Sequence, residues 1–254
     1  GKTRVITSRI AYLIQEQGVN PYNIAAVTFT NKAASEMKDR LSSMLGRNAE
    51  RVTARTFHSF CSMVLRREGG VVGLDTDFVI FDDNDQMETV KKAMKDLDID
   101  PKSFAPRNIL SRISNSKSQL IDSEKFISQK SNYYDEVVGR VFENYETTLS
   151  QSNAADFDDL LMKTQNLFLN NPDILNKYQN RFVYLMVDEF QDTNIAQYSI
   201  ARQIASTHRN LCVVGDPDQS IYSWRNADIR NILSFRDDFP EATVVPLEEN
   251  YRST

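Results

Sequence analysis

Two kinds of hydrophobic pattern alternate over the first and last parts of the chain. Short runs rich in apolar or β-branched residues are typical of strands buried on both faces, and they occupy residues 24–30, 52–55, 182–187, 211–214 and 243–245. Segments with a helical period of apolar residues lie between and around them, at residues 4–17, 32–45, 57–68, 158–170, 194–206 and 229–238. Strands that alternate with helices predict an α/β fold with a parallel sheet flanked by helices.

The pattern between these two parts is helical only. We predict helices over residues 86–97, 108–116, 123–129 and 133–149, and Pro101 and Pro106 break the chain after the first of them. An all-helical block between two α/β blocks predicts an inserted subdomain, and therefore a division into residues 1–77, 78–153 and 154–254. The lysines and arginines of this block are scattered, which favours solvated helix faces over a dedicated binding face.

Composition excludes several classes of protein. With 41% hydrophobic residues, 8 glycines and 7 prolines in 254 residues, the chain is globular and not a linker. The net charge of −5 provides no overall attraction for nucleic acid, so such binding would need a local groove. Cys61 and Cys212 lie far apart, which indicates reduced thiols and a cytoplasmic protein. No apolar run reaches the roughly 18 residues of a membrane span, and we expect no membrane partner.

Two adjacent carboxylates, Asp188 and Glu189, follow the apolar run at residues 182–187. Open α/β sheets bind ligands beyond the carboxyl ends of their strands. The pair suits an ATPase site in which Asp188 holds Mg²⁺ and Glu189 polarises the attacking water. Acids also end strands simply as solvated caps, and this pair by itself leaves both interpretations open.

The first residues, Gly1, Lys2 and Thr3, look like the end of a phosphate-binding loop that runs into a helix. In such loops the lysine neutralises phosphate and the threonine hydroxyl reaches Mg²⁺. We therefore expect that the chain begins inside its own loop. Gln219 leaves another predicted strand through turn residues, where its amide can bond a phosphate oxygen without adding charge.

Aromatic side chains near the predicted strand ends suit stacking on nucleic-acid bases. Tyr222, Trp224 and Arg225 combine aromatic rings with a cation on one segment, as single-strand binding surfaces do. Taken singly, Trp224 and Phe29 are better explained as core residues. His58 alone is better explained as a histidine satisfied at a helix start.

Taken together and in order, these stretches resemble the motifs of superfamily 1A DNA helicases, the UvrD/PcrA/Rep family. The matching segments are residues 1–3, 27–34, 54–59, 156–160, 187–192, 215–225 and 247–254. The resemblance spans the chain, and the helical block falls where this family carries its 1B subdomain. It implies a RecA-like P-loop NTPase domain that is interrupted by the 1B insert.

The resemblance also implies the site residues. Gly1, Lys2, Thr3, Arg4 and Tyr251 would bind ATP, and Thr3 and Asp188 would hold Mg²⁺. Hydrolysis would depend on Asp188, Glu189, Gln219 and the arginine finger Arg252. A track for single-stranded DNA would be lined by Phe29, Asn31, Thr56, His58, Phe157, Tyr222, Trp224 and Arg225.

The implied activity is ATP-dependent 3′-to-5′ movement along single-stranded DNA, with unwinding at junctions of single- and double-stranded DNA, in repair or replication. It needs a second, C-terminal RecA-like domain, so we expect the 254 residues alone to be inactive. One alternative is the helicase portion of an AddA/RecB-type helicase–nuclease. Another is a non-catalytic single-strand binding module, although the joint presence of Asp188, Glu189, Gln219 and Arg252 argues against it.

Overall fold

The computed structural model describes residues 1–219, 231 and 235–247, and the chain folds into two compact units. The sheet unit comprises residues 1–57 and 175–254, and the helical unit comprises residues 58–174. The division of the chain into domain parts at residues 77 and 153 stays a prediction.

The elements alternate largely as the hydrophobic pattern predicts. The strands are β1 Ile24–Thr28, β2 Thr53–Thr56, β3 Val79–Ile80, β4 Ala154–Ala155, β5 Tyr184–Val187 and β6 Leu211–Val213. The α-helices are α1 Lys2–Gln15, α2 Asn31–Leu45, α3 Phe57–Glu68, α4 Asp83–Asp96, α5 Pro106–Ser118, α6 Ser123–Ser128, α7 Tyr133–Gln151, α8 Phe157–Asn170, α9 Pro172–Arg181, α10 Ile195–Ala205 and α11 Phe235–Asp238. Within the described part of the chain, no helix has both the length and the apolar character that crossing a membrane requires.

The sheet unit is built on a four-stranded sheet in the order β2-β1-β5-β6, and every neighbouring pair is parallel. Val187 lies opposite Val27 on one side and opposite Val213 on the other. All five residues of β1 are buried, as the run without alternation predicted. The parallel α/β sheet is therefore confirmed, and the carboxyl ends of its strands share one edge.

Apolar side chains of α1 and α2 cover the sheet. Ile6, Ile10 and Met37 are fully buried and pack in one cluster with Ile24 of β1 and Met186 of β5. The cluster fixes α1, and with it the first residues of the chain, against the two central strands. The two cysteines are free, Cys61 buried in the helical unit and Cys212 partly buried in the sheet unit.

The helical unit has a core of its own, formed mainly by α4, α5 and α7. Its fully buried side chains include Val90, Ile109, Phe142 and Tyr145. The short strands β3 and β4 pair in parallel with each other, and the sequence pattern did not predict them. They bring the two ends of the helical block side by side, since Val79 lies opposite Ala154.

Two predictions about secondary structure need correction. The predicted strand at residues 243–245 is wrong: the segment has no regular structure, and Val244 and Val245 are 59% and 72% exposed. A β-branched run forms a strand only where a neighbouring strand accepts its hydrogen bonds. The sequence analysis also missed α9, although Pro172 at its first position and Asp173 in its first turn are typical of a helix start.

Candidate functional site

The carboxylate pair lies where β5 leaves the sheet. The backbone N–H of Asp188 donates to the carbonyl of Val27 at 3.0 Å, and that of Phe190 donates to the carbonyl of Val214 at 3.0 Å. Residues 188–190 are thus fixed between the ends of β1 and β6. Glu189 has a φ of +48°, an uncommon left-handed conformation for a residue other than glycine, which turns the backbone sharply at this point.

The start of α1 meets this strand end. Gly1 is the N-cap residue of the helix, and Lys2 and Thr3 are its first two residues. The hydroxyl of Thr3 donates to Asp188 Oδ2 at 2.7 Å. Lys2 Nζ donates to Glu189 Oε2 at 2.5 Å and to Gln219 Oε1 at 3.2 Å. Residues from the two ends of the sequence therefore share one site at the carboxyl edge of the sheet.

Two further side chains close these contacts into a ring. Gln191 Nε2 donates to Glu189 Oε2 at 3.0 Å, and Gln191 Oε1 accepts from the backbone N–H of Asp216 at 3.1 Å. Gln219 Nε2 in turn donates to Asp216 Oδ2 at 2.6 Å. Lys2, Glu189, Gln191, Asp216 and Gln219 form a continuous hydrogen-bonded circuit, which we call the contact ring.

The described part of the site holds three carboxylates, those of Asp188, Glu189 and Asp216, and one lysine, Lys2. Asp188 is only 2% exposed, and burial raises the pKa of its carboxyl, as does the charge of Glu189, while the hydrogen bond from Thr3 acts in the opposite direction. The side chains of Lys2 and Glu189 are 15% and 31% exposed. The site therefore has an acidic excess that a bound cation would relieve.

The residues present fit a magnesium ion that is shared with phosphate. Mg²⁺ prefers oxygen ligands and is usually held by one or two protein groups together with phosphate and water oxygens. The adjacent Thr3 hydroxyl and Asp188 carboxylate offer such groups. Among the described residues, no group of three or more His, Cys, Asp or Glu side chains is arranged as a metal site. Thr3 and Asp188 therefore suit a magnesium ion whose remaining ligands come from phosphate and water.

Three of the predicted DNA-contacting residues lie along the same edge of the sheet, and all three belong to the described part of the sheet unit. Thr56 ends β2 opposite Thr28, the last residue of β1. Phe29 follows β1 directly and is half-buried, and Asn31 is the exposed first residue of α2. Because β1 and β2 are parallel neighbours, Phe29, Asn31 and Thr56 occupy one side of this edge.

Two further predicted residues contact each other within the helical unit. The rings of His58 and Phe157 meet edge to face, with centroids 6.0 Å apart and planes at 85°. Phe157 is 44% exposed, so it does not serve as a core residue. The pair offers an exposed aromatic surface at the first turns of α3 and α8.

Of the remaining predicted site residues, Arg4 is described and five are not. Arg4 is exposed in the first turn of α1, where its N–H donates to the carbonyl of Gly1. The predictions for five residues concern positions outside the described part of the chain: Tyr222, Trp224, Arg225, Tyr251 and Arg252.

Sequence reasoning missed Gln191 and Asp216 as members of the site. Both stand inside segments that match family motifs, at residues 187–192 and 215–225. The available signal was their position directly after β5 and β6, where polar side chains meet at a sheet edge. What the sequence does not give is that Gln191 spans the two strand ends.

Comparison with known proteins shows the family to which the chain belongs. The UvrD/REP helicase N-terminal domain family matches residues 1–240. The chain is 51% identical over its whole length to ATP-dependent DNA helicase PcrA of Bacillus subtilis, covering 34% of that protein. It is 50% identical to the PcrA helicases of Staphylococcus aureus and Staphylococcus epidermidis, covering 35% of each. The chain therefore spans about a third of the length of these curated relatives, and it belongs to the UvrD/REP helicase N-terminal domain family.

Proposed function

We propose that the chain forms the nucleotide-binding portion of an ATP-dependent DNA helicase that moves 3′ to 5′ along single-stranded DNA. The contact ring is the observation that carries this proposal, together with membership of the family. In the ring a lysine at a helix start meets the carboxylate after β5 and the amide after β6. We place the whole protein in the cytoplasm, in DNA repair or replication.

ATP is proposed to bind at the start of α1. A helix N-terminus attracts phosphate through its free N–H groups, and Lys2 adds a full positive charge beside them. Gly1, the N-cap residue of α1, is proposed to contact phosphate beside Lys2. Arg4, exposed on the first turn, and Tyr251 are proposed to hold the adenine between them.

Hydrolysis is proposed to use the two acids in separate roles. Thr3 and Asp188 would hold Mg²⁺, which supplies charge neutralisation for the phosphates when it is bound. Glu189 would orient and polarise the attacking water, and its position between Lys2 and Gln191 supports this role. Gln219 would sense the terminal phosphate, and Arg252 would act as an arginine finger.

Single-stranded DNA is proposed as the second ligand. The exposed ring of Phe157 beside His58 supports base stacking, and so does the position of Phe29, Asn31 and Thr56 at the ligand-binding edge of the sheet. Tyr222, Trp224 and Arg225 complete the proposed track. Junctions of single- and double-stranded DNA are the proposed substrates of the whole protein.

A binding experiment on the 254-residue chain tests the proposal. We expect Mg·ATP to bind, and Lys2→Ala to abolish that binding because the phosphate loses its countercharge. Lys38→Ala removes the same charge from an exposed position on α2 and should leave binding unchanged. Equal nucleotide affinity in the two variants would contradict the site.

The same preparations separate the proposed motor from a non-catalytic single-strand binding module. Such a module would bind an oligothymidylate but no nucleotide, whereas the proposed helicase portion binds both. We expect no DNA-stimulated ATP turnover from the chain alone, because the proposed site needs a second RecA-like domain across the nucleotide. Robust turnover would show that the described ring and the residues around it suffice for hydrolysis.

A further inference from the structure

A lysine of the helical unit is completely buried and fully paired. Lys117, near the end of α5, is 0% exposed, and its Nζ donates to Asp156 Oδ2 at 2.7 Å and to Asp159 Oδ1 at 2.8 Å. Buried lysines are rare unless they are paired. The sequence pattern favoured a solvated position for the basic residues of this block, so Lys117 is an exception that needs an explanation.

The two carboxylates that Lys117 contacts also build the start of α8. Asp156 is the N-cap residue, and its Oδ1 accepts from the backbone N–H of Asp159 at 2.7 Å. Asp159 Oδ2 accepts from the backbone N–H of Asp156 at 3.2 Å, which completes a capping box. Each carboxylate therefore uses one oxygen for the helix start and the other for Lys117.

Helices α7 and α5 also hold the start of α8, which comprises residues 156–159. Tyr145 of α7 donates its hydroxyl to Asp156 Oδ2 at 2.9 Å, and Ser114 of α5 donates to Asp158 Oδ2 at 2.6 Å. Asp156, Asp158 and Asp159 are thus all anchored inward. Phe157 is the one residue of this stretch whose side chain is exposed, and it contacts His58.

Lys117 and Asp156 each stabilise the charged form of the other. Burial disfavours the charged form of Lys117, but Asp156 and Asp159 outweigh it and raise the pKa of the ammonium. Burial likewise disfavours the Asp156 carboxylate, and Lys117 overcomes it and lowers the pKa of that carboxyl. Buried ion pairs add little net stability relative to apolar packing of the same volume. Their effect here is geometric, since they allow one orientation of the start of α8.

We propose that Lys117 is a positioning residue that fixes the start of α8 so that the Phe157 ring is held out for stacking on a base of single-stranded DNA. The inference deepens the proposed function and rests on it. Lys117 itself contacts no DNA: it acts through the capping box on either side of Phe157.

A double-mutant cycle on the 254-residue chain tests this inference. The variants are Lys117→Met, Phe157→Ala and the two combined, and fluorescence anisotropy measures their affinity for an oligothymidylate and for an abasic strand of equal length. Lys92→Met is the matched control, because it makes the same change at an exposed position of α4. Circular dichroism gives the folded fraction, by which each affinity is corrected.

The expected results separate positioning from a general structural effect. Phe157→Ala should weaken oligothymidylate binding by at least about fivefold, the lower end of what stacking on one base contributes. Lys117→Met should weaken it severalfold, leave abasic binding unchanged and add no further loss in the double variant. Lys92→Met should match the unaltered chain.

Each contrary result has a definite meaning. The positioning role is overturned if Lys117→Met loses as much affinity for the abasic strand as for the oligothymidylate. It is also overturned if the loss of affinity in Lys117→Met adds fully to that in Phe157→Ala. Unaltered binding by Lys117→Met overturns it as well. If Phe157→Ala itself leaves binding unchanged, the DNA contact under the proposed function fails. Should Lys117→Met fail to fold, Tyr145→Phe carries the test, since it removes a single hydrogen bond to Asp156 and should give a smaller loss of the same kind.

Discussion

Replacing Glu189 by Gln should tighten nucleotide binding while it removes the group proposed to act on water. In the described state, Lys2 bonds Glu189, so an incoming phosphate must compete with a carboxylate for the same ammonium. A neutral amide of nearly the same shape still fills the space and competes far less. The variant therefore separates affinity from hydrolysis.

The size of the effect follows from the geometry of the pair. At 2.5 Å and an effective dielectric constant of about 20, the unscreened attraction would be about 6–7 kcal/mol. Both side chains retain contact with solvent, which is why the net value of such a pair falls to about 1–2 kcal/mol. We therefore expect ATP to bind about 5- to 30-fold more tightly to Glu189→Gln than to the unaltered chain.

Titration of a fluorescent ATP analogue with Mg²⁺ into the 254-residue chain measures this difference. Glu16→Gln is the charge-matched control: Glu16 is exposed and follows the last residue of α1, about 21 Å along the helix from Lys2. It should leave the affinity unchanged. Raising the salt concentration should reduce the difference in nucleotide affinity between Glu189→Gln and the unaltered chain, because salt screens the ion pair that causes this difference.

Equal or weaker binding by Glu189→Gln would refute the reasoning. It would mean that Lys2 is not held by Glu189 when the nucleotide arrives. A matching gain in Glu16→Gln would instead assign the effect to the overall charge of the chain.

Two further predictions concern stability. Burial and the charge of Asp156 raise the pKa of Asp158 to about 7, although the hydrogen bond from Ser114 acts in the opposite direction. Because the pKa is higher in the folded state, the contribution of this group to stability is fully present below its ordinary pKa and is lost as the pH rises to about 7. Near about pH 8, Asp158→Asn should therefore raise the free energy of unfolding by about 1–2 kcal/mol, measured as a higher midpoint of thermal unfolding than that of the unaltered chain. The difference in stability should disappear at about pH 4. Leu41→Ala should cost about 2–5 kcal/mol in chemical denaturation because Leu41 is fully buried, whereas Leu169→Ala, at a 61% exposed position, should change stability by less than about 0.5 kcal/mol.

The sheet and the acidic end of the site were predictable because they depend on local pattern. An apolar run that ends in two acids specifies both a buried strand and its ligand-binding end, and β5 with Asp188 and Glu189 follows that rule. Family motifs then linked Lys2 and Gln219 to the same site, and the contacts of Lys2 with Glu189 and Gln219 agree with that link.

Features that depend on distant partners were not predictable in this way. Lys117 stands among serines and an asparagine, a context typical of a solvated helix face, and only the approach of Asp156 and Asp159 from α8 explains its burial. The segment at residues 243–245 has the composition of a strand, but the described sheet ends at β6 and offers it no pairing. Local composition favours one type of structure, but contacts with distant segments determine which structure forms.

The contact ring connects the proposed phosphate-binding group of Lys2 to the side chains of Glu189 and Gln219. An ammonium group only donates hydrogen bonds and a carboxylate only accepts them, so Gln219 has a single amide orientation between Lys2 and Asp216. The same ammonium holds Glu189. A phosphate that binds Lys2, as proposed, would replace both the Gln219 oxygen and the Glu189 carboxylate as partners of the ammonium. We therefore infer that nucleotide binding would be coupled to the proposed hydrolytic acid and to Gln219, which precedes the proposed DNA contacts at Tyr222 and Trp224 in the sequence.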